Sequence, residues 1–290
     1  MAGYKGGRIN PKHFERGQIK ILLFVVPLAL FMLFPIIFIV CHAFKPMDEL
    51  FAYPPRLFVT RPTLDNFTKL MKSAGSSAIP MSRYIFNTVL VTLSVVLGSV
   101  LLSTLAGFAL SKLRFKGKYV LMEVNNAALM FVPVAVMIPR YITINTLGLT
   151  DTYLALIIPL ISMPVCLFLI KQFIDQVPDA LIEAAYIDGA SDLKVYYRII
   201  LPLIRPAIAT GALLAFQTVW GDVQSPTYYT SHEGLRTLAF YASTLTNANN
   251  TIAGQGVAAA ASLILFIPNL ILFVVLQRNV MNTMAHSGIK

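Results

Sequence analysis

The sequence predicts an all-α fold: a polytopic membrane helix bundle with six transmembrane helices and one short cytoplasmic helix. Three observations predict it. Of the 290 residues, 57% are hydrophobic and only 12% are charged, whereas soluble domains carry roughly 25% charged residues. The apolar residues form long runs, and the basic residues gather at the ends of those runs. This chain has too little charge to cover a water-exposed surface, so its expected environment is a lipid bilayer.

Six apolar runs approach or exceed the ~17–20 residues that a helix needs to cross a bilayer. Five uncharged runs cover residues 21–44, 84–111, 152–170, 206–221 and 257–277. The sixth run, 119–142, is apolar except for Glu123 and Arg140. We expect Arg140 to extend its long side chain to the outer interface. Together the runs predict one membrane domain over residues 21–280.

The basic residues predict the orientation of the spans. They are dense in residues 5–20, before the first run, and in residues 112–118, after the second. The positive-inside rule places both segments in the cytoplasm. With six spans, the lead-in 1–20 and the tail 281–290 are then both cytoplasmic. Because these residues flank the spans instead of forming one patch, the net charge of +10 does not indicate nucleic-acid binding.

The segments between the runs differ in length. A short helix is expected at about 64–72 in the first outer segment, 45–83. Residues 171–205 form a long cytoplasmic loop, and residues 222–256 form a large outer loop rich in Thr, Asn, Ser and Tyr. The two cysteines, Cys41 and Cys166, fall in different spans near opposite faces of the membrane, so no disulfide is expected.

Residues 175–206 read DQVPDALIEAAYIDGASDLKVYYRIILPLIRP and predict two short helices joined by a sharp bend. Pro178 suits the first turn of a helix, and Asp179 favours its N-terminal end. Gly189 supplies the permissive backbone that ends this first helix. Ser191 is a good N-cap for a second helix to about residue 200, and Pro202 is expected to end that helix.

The first of these helices carries a surface suited to another protein. Ala184 and Ala185 are small enough to let a partner approach closely, and Glu183 and Asp188 can accept hydrogen bonds or salt bridges. A helix that lies on the membrane surface favours basic residues instead. The residues therefore favour protein docking, and a plain membrane-surface helix remains the alternative.

The spacing Glu183-Ala184-Ala185, three residues, Gly189, nine residues, then Ile199-x-Leu201-Pro202 resembles the EAA signature of permeases in binding-protein-dependent ABC importers. The resemblance implies that residues 171–205 form the coupling loop and that its first helix, the cytoplasmic coupling helix, docks on an ATPase. The implied ATPase-coupling residues are Glu183, Ala184, Ala185, Asp188, Gly189, Leu201 and Pro202. The implied partners are a second permease subunit in a heterodimer, two ATPase subunits and an extracytoplasmic solute-binding protein. The implied location is the bacterial inner or plasma membrane.

The chain has no sequence of the form G-x-x-x-x-G-K-[ST], which would cradle a nucleotide phosphate. It also has no cluster with the spacing of a catalytic nucleophile or a metal site, since its four histidines are scattered. We therefore expect no cofactor on this chain, no catalytic residues and no metal site. ATP and magnesium are expected on the partner ATPase, so the chain is predicted to be a transport subunit and not an enzyme.

Within that family the chain resembles the carbohydrate type, and in particular the second membrane subunit of maltose-type importers. The resemblance rests on residues 183–206, on 138–149 (IPRYITINTLGL) and on Trp220-Gly221-Asp222. Relatives usually read Trp-Asn-Asp at the last site, so Gly221 departs from the pattern. The resemblance implies that a sugar or oligosaccharide is carried. Import of a polyamine, phosphonate or amino acid by the same class remains the alternative.

Polar residues within the spans are candidates for the solute path. Gln217, Trp220 and Asp222 follow one another at about one-turn spacing in span five, and Asn87 and Asn269 lie in spans two and six. The alternative for the amides is a hydrogen bond between helices without any ligand, and for Trp220 an interfacial anchor.

The maltose-type resemblance further implies contacts of the outer loop with the binding protein, at Thr244, Asn247, Asn250 and Gln255. An ion-coupled secondary transporter is a less favoured reading. It predicts charged relay residues at mid-membrane and inverted repeats, and the sequence shows neither.

Overall fold

The computed structural model describes residues 16–76, 79–248 and 252–287, and in these ranges the chain is helical with no β-strand. The helices are α1 Arg16–Phe44, α2 Met47–Leu50, α3 Asp65–Ser76, α4 Met81–Lys112, α5 Lys118–Met130, α6 Met137–Thr146, α7 Tyr153–Ile161, α8 Pro164–Asp175, α9 Asp179–Ile187, α10 Asp192–Val195, α11 Leu201–Leu203, α12 Arg205–Trp220, α13 Gln224–Tyr229, α14 Leu238–Ala248 and α15 Ile252–Ser287. A π-helical turn, Tyr196–Ile200, joins α10 to α11, and a 3-10 turn, Glu233–Leu235, precedes α14.

Three helices are long and apolar enough to cross a membrane. Their spanning parts are Ile21–Phe44 in α1, Met81–Lys112 in α4 and Gly254–Gln277 in α15. Two bent pairs add further candidates: α7 with α8, bent by 40°, and Asp192–Leu203 with α12, bent by 80°. The described residues therefore give three spans, or up to five if each bent pair crosses once. The chain is an all-helical, multi-pass membrane protein, and the count of six remains a prediction.

The run 119–142, predicted as one span, is divided in the structure. Helix α5 ends at Met130, and α6 begins at Met137. Pro133 lies in the intervening turn. Its ring disfavours a helical conformation in the residue before it, and it has no N–H to donate. The hydropathy of the run gave no sign of the break.

Helix α4 lies at the centre of the bundle and packs against α7, α8 and α12. Small residues allow close approach between these helices. A Cβ atom added to Gly211 of α12 would lie 2.8 Å from the Cys166 sulfur of α8, and one added to Gly107 of α4 would lie 3.2 Å from Ile174. Both cysteines are buried and free. The central bundle thus relies on close backbone contact, as is usual for membrane helices.

The segment 222–256, predicted as a long outer loop, is largely helical in its described part. Helix α14 packs on α4 and α15, the 3-10 turn packs on α4, and α13 packs on α6 and α7. Leu238 and Tyr241 join a buried cluster with Met81 and Tyr84, and the Tyr84 and Tyr241 rings stack with centroids 4.7 Å apart. No pattern in the sequence indicated these helices, because the apolar residues that pack together are scattered among polar ones.

Candidate functional site

The turn after α8, predicted to be cytoplasmic, forms the helix that the sequence predicts. Helix α9 covers Asp179–Ile187, and Gly189 follows it with a φ of 76°. The Gly189 N–H donates to the Tyr186 carbonyl at 3.0 Å, and the Ala190 N–H donates to the Ala185 carbonyl at 2.9 Å. These two bonds define a Schellman motif, which needs a left-handed residue at the glycine position.

One face of α9 packs against the rest of the chain, and the other face is exposed. Ile182 is buried and joins an apolar cluster with Ile174 and Val195. Glu183, Ala184, Asp188 and Gly189 are exposed, and Ala185 is half-buried. The exposed face also presents apolar side chains, since Ile187 is 86% exposed. A rigidly held helix with small, acidic and apolar groups on its open face suits a protein partner better than water.

Span two is tied to the start of α9 by Lys112, the last residue of α4. Its ammonium group donates to the Val177 carbonyl at 2.6 Å and to the Asp179 carboxylate at 2.7 Å. The Lys112 side chain is 8% exposed, and the Asp179 side chain is 75% exposed. The hydrogen bond and charge of Lys112 lower the pKa of Asp179. A second link joins Ser111 to Asp175 at 2.5 Å.

The second helical arm of this turn, after Gly189, continues further than predicted. Helix α10 begins after Ser191, but the Ser191 side chain makes no capping hydrogen bond. The prediction that Pro202 ends this arm was wrong, because helical residues extend through Leu203 and the 80° bend falls at Ile204. The Leu201 N–H donates to the Tyr196 carbonyl five residues back. This wide π turn accommodates the Pro202 ring without a kink at that position.

A cavity of about 550 Å³ opens where three helix breaks meet. The breaks are those between α5 and α6, between α7 and α8, and between α12 and α13. The lining residues are Pro133, Met137, Arg140, Pro159, Leu160, Ser162, Met163, Pro164, Val165, Thr218, Gly221, Asp222, Val223, Gln224, Ser225, Tyr228 and Tyr229. Non-helical backbone within a membrane bundle is tolerated where it lines a cavity, and such discontinuous helices are typical of solute sites in transporters.

Asp151 fixes one wall of this cavity. Its backbone N–H donates to the Tyr229 carbonyl at 2.9 Å, and its carboxylate accepts the N–H groups of Ser231 and His232 at 2.5 and 2.8 Å. These backbone donors lower the pKa of Asp151. The residue has a φ of 57°, which Asp tolerates better than most side chains. The turn before α7 therefore holds α13 in place.

Of the predicted solute-path residues in span five, only Asp222 lies on the cavity wall. It follows the end of α12, and its carboxylate accepts the N–H groups of Gln224 and Ser225 at 3.0 and 3.2 Å. The Trp220 indole donates to the Leu265 carbonyl of α15 at 3.0 Å, and its ring stacks on Phe216. Gln217 is exposed and lies outside the cavity lining. The three residues therefore do not share one polar face.

The two asparagines lie elsewhere. Asn87 is fully buried. Its amide donates to the Gly234 and Arg236 carbonyls, both at 2.9 Å, and accepts the Tyr153 hydroxyl at 2.7 Å. All of these partners belong to the chain, so Asn87 joins α4, α7 and the outer segment and has no group turned to a solute. Asn269 donates to the Leu265 carbonyl at 3.3 Å, and its buried side-chain oxygen has no hydrogen-bond partner in the described part of the chain.

The predicted binding-protein residues surround the junction of α14 and α15. Thr244 is exposed, and its hydroxyl donates to the Tyr241 carbonyl at 2.7 Å. Gln255 is exposed near the start of α15. Asn250 and the side chain of Asn247 lie outside the described residues.

Sequence reasoning missed most of the cavity wall. Arg140, expected at the outer interface, lines the cavity beside Tyr229, and Tyr228 and Gln224 face the same space. A signal was present in the sequence, because a charged residue inside an apolar run usually faces a bundle interior or a cavity. Tyr228 and Gln224 gave no such signal, since they stand in a polar segment of ordinary composition.

Comparison with known proteins identifies the class. Residues 99–282 match the family described as binding-protein-dependent transport system inner membrane component. That match covers more than half of the chain, and the chain belongs to this family. It is a permease subunit of an ABC importer, in which a separate subunit hydrolyses ATP.

Similar curated proteins cover nearly the whole chain. The inner membrane ABC transporter permease protein YcjP of Escherichia coli is 28% identical over 272 residues, which are 92% of this chain and 95% of that protein. The sulfoquinovosyl glycerol transport system permease protein SmoH of Agrobacterium fabrum is 28% identical over 267 residues, 89% of each. The trehalose/maltose transport system permease protein MalG of Thermococcus litoralis is 28% identical over 275 residues, 94% of this chain and 97% of that protein.

A solved structure shares the fold. One chain in the crystal structure of a bacterial ABC transporter involved in the import of the acidic polysaccharide alginate matches with a TM-score of 0.80 and 22% identity. The match covers 93% of this chain and 99% of that chain.

Proposed function

We propose that this permease carries a sugar or oligosaccharide into the cell, after an extracytoplasmic binding protein delivers it, and that the cavity at the three helix breaks is its solute site. The observation that carries the proposal is the cavity wall. It combines two tyrosine rings with hydroxyl, amide and charged groups, which is the mixture of flat apolar faces and hydrogen-bonding groups that a sugar requires. The names of the relatives above, which include trehalose, maltose and sulfoquinovosyl glycerol transport, support the same class of solute.

The proposed topology has six crossings with both termini in the cytoplasm of a bacterial inner or plasma membrane. In this arrangement α5 and α6 together form the third span, interrupted where they border the cavity. Helices α7 with α8 form the fourth span, and α12 forms the fifth. At about 1.5 Å per residue, the 16 residues of α12 reach roughly 24 Å, less than the ~30 Å hydrocarbon core. A short fifth span is consistent with a solute site that begins inside the bilayer.

In this proposal the energy for transport comes from a separate ATPase, which binds ATP and magnesium and docks on α9. Glu183, Ala184, Ala185, Asp188 and Gly189 form the contact surface in this proposal, and Leu201 and Pro202 place the second arm behind it. The complete transporter contains two ATPase subunits and a second, different permease. ATP binding shifts the ATPase between two conformations, and the docked helix passes that shift to the bundle.

The outer junction of α14 and α15 is the proposed contact with the binding protein. Thr244 and Gln255 are exposed there, and Asn247 and Asn250 lie between them in the sequence. A second candidate function keeps the same machinery and changes the solute to a polyamine, phosphonate or amino acid. An ion-coupled secondary transporter is disfavoured by membership of the importer family.

The test is reconstitution of the complete transporter in proteoliposomes, with ATP hydrolysis and uptake measured for maltose, trehalose and sulfoquinovosyl glycerol. We expect at least one sugar to stimulate both. Replacing Tyr228 by Ala removes a half-exposed ring from the cavity wall and is expected to lower uptake roughly fivefold, for about 1 kcal/mol of ring contact. Tyr119→Ala removes an exposed ring outside the cavity and should leave uptake unchanged. Equal uptake by both variants would refute this solute site.

A further inference from the structure

Arg140 is a cation at the cavity wall without an acidic partner. Within the described residues, no carboxylate lies within the 4.0 Å that defines an ion pair of its guanidinium. The Tyr229 phenol is the tyrosine group that interacts with its charge. A guanidinium has five N–H donors, so one phenol leaves most of them available. The side chain is half-buried on α6 and lines the cavity.

An unpaired guanidinium is unfavourable at this position, unless it contacts water or a solute. Arg140 stands inside the apolar run that forms the proposed third span. Arg140 lies near one end of this run, and charged side chains within spanning segments are rare. Such residues usually face a water-filled path and mark the route of a solute or ion. By contrast, Lys112, Lys171 and Arg236 each meet a carboxylate.

The one acidic residue of the cavity lining does not neutralise Arg140 directly. The Asp222 carboxylate is turned to the first turn of α13, where it accepts two backbone N–H groups. Those donors stabilise its negative charge locally. The guanidinium therefore presents available donors to the cavity, while Asp222 is held by the backbone.

We propose that Arg140 binds a carboxylate on the solute, so that the transported sugar is an acidic one, such as a uronic acid oligosaccharide. The inference rests on the proposed function and names the solute class for the same cavity. The planar guanidinium pairs with a carboxylate through two parallel hydrogen bonds. Tyr228, which is 44% exposed, offers a flat face to the sugar ring. Arg140 is then a specificity-determining residue of this permease.

The test compares uptake of trigalacturonate and maltotriose by the complete transporter, with its own binding protein, in proteoliposomes. We expect wild type to prefer trigalacturonate. Arg140→Gln should lower trigalacturonate uptake at least about tenfold, which corresponds to the loss of one charge-assisted hydrogen bond, and should change maltotriose uptake far less. Arg140→Lys keeps the charge without the planar fork and should give an intermediate value.

Asp222→Asn provides a test in the opposite direction. The Asn carbonyl oxygen can accept the same two backbone N–H groups as the Asp carboxylate, so the first turn of α13 keeps its hydrogen bonds while the negative charge is removed from the cavity. Trigalacturonate should then be taken up at lower concentrations than in wild type. If Arg140 only supported the fold through Asp222, both D222N and R140Q would lower uptake of both sugars, and the proposal would be wrong.

The remaining outcomes separate the inference from the proposed function. Uptake of maltotriose without trigalacturonate by wild type would overturn the acidic class and leave sugar import standing. Uptake of neither, together with no stimulation by the other sugars, would refute sugar import itself. If R140Q fails to assemble, the comparison of R140K and D222N decides: wild-type trigalacturonate uptake by both would exclude a contact with the carboxylate.

Discussion

Gly189 is the residue whose local geometry and proposed role are most closely connected. Its φ of 76° lies in the left-handed region, and a Cβ atom added to it would meet no atom within 4 Å. A substitution therefore acts through the backbone alone. Gly189→Val should destabilise the turn by about 1–2 kcal/mol and lower the amount of solute imported per ATP hydrolysed. Gly189→Asn should retain most coupling, since Asn tolerates this conformation.

A matched control for this prediction is Gly148→Val in the turn between α6 and α7. Gly148 also has a positive φ, 66°, and open space where an added Cβ atom would lie, but it lies far along the chain from α9. The control should lose stability without losing coupling. Wild-type coupling in Gly189→Val, or equal uncoupling in both valine variants, would contradict a specific role for the cytoplasmic turn.

Lys112 yields a prediction about pH as well as coupling. The folded protein holds the pKa of Asp179 below its ordinary value through Lys112. This ion pair therefore stabilises the turn at pH values above the ordinary Asp pKa, and the stabilisation is lost as the pH falls through the lowered value. Lys112→Met should remove that pH dependence and increase amide hydrogen exchange in α9 at neutral pH.

The control for Lys112 is Lys171→Met. Lys171 also binds a carboxylate at 2.7 Å, but its partner Asp175 lies one turn away in the same helix. Loss of such a pair costs about 0.3–0.5 kcal/mol and breaks no link between helices. We expect normal exchange in α9 and normal coupling for Lys171→Met. If Lys112→Met showed the same normal exchange, span two would not be holding the coupling helix.

Two residues, Gly189 and Asn87, differ in how well their roles could be predicted from the sequence. Gly189 was predictable because its conformation depends on neighbours within five residues. Asn87 was not, because its partners lie 66, 147 and 149 residues away in the sequence. Only the folded chain brings these groups together, and no local pattern separates such an asparagine from one that binds solute.

At the scale of whole helices, hydropathy located every apolar run and missed the breaks within them. Hydropathy indicates whether a segment is apolar enough to lie in lipid. A short apolar turn within the segment leaves its hydropathy unchanged. Prolines were the available hint: Pro164 begins α8 after the bend, and the preceding Met163 has extended backbone angles, φ −114° and ψ 95°, as expected before proline. Three breaks converge on one cavity, a juxtaposition that depends on tertiary packing and not on any single run.

At the scale of the whole molecule, much of the apolar surface has no partner within the chain. The most apolar part of α1 is not buried at all, and its C-terminal end packs, where Ala43 meets Ala260 and Leu263 of α15. Lipid tails cover such a surface without cost. The bundle can therefore stay open on the side of α1, and the chain's stability rests on the packing of α4 with α7, α8 and α12.

The number of crossings decides on which side of the membrane every other feature lies. If α5 and α6 together cross once, Lys116 and Asn145 lie on opposite sides, and Lys194 lies on the side of Lys116. All three side chains are exposed. Both native cysteines are buried, and they can be replaced by serine, so single cysteines at these positions give a clean readout with a membrane-impermeant maleimide.

We expect N145C to react in intact spheroplasts, with K116C and K194C reacting only after the membrane is opened. Lys69→Cys, exposed on α3 in the first outer segment, serves as the outside reference. If K116C and N145C instead reacted from the same side, the α5–α6 segment would enter and leave the membrane on one face, and the chain would have five crossings. Lys194 would then lie outside, where no ATPase could reach α9, so the same labelling experiment tests the topology and the coupling role together.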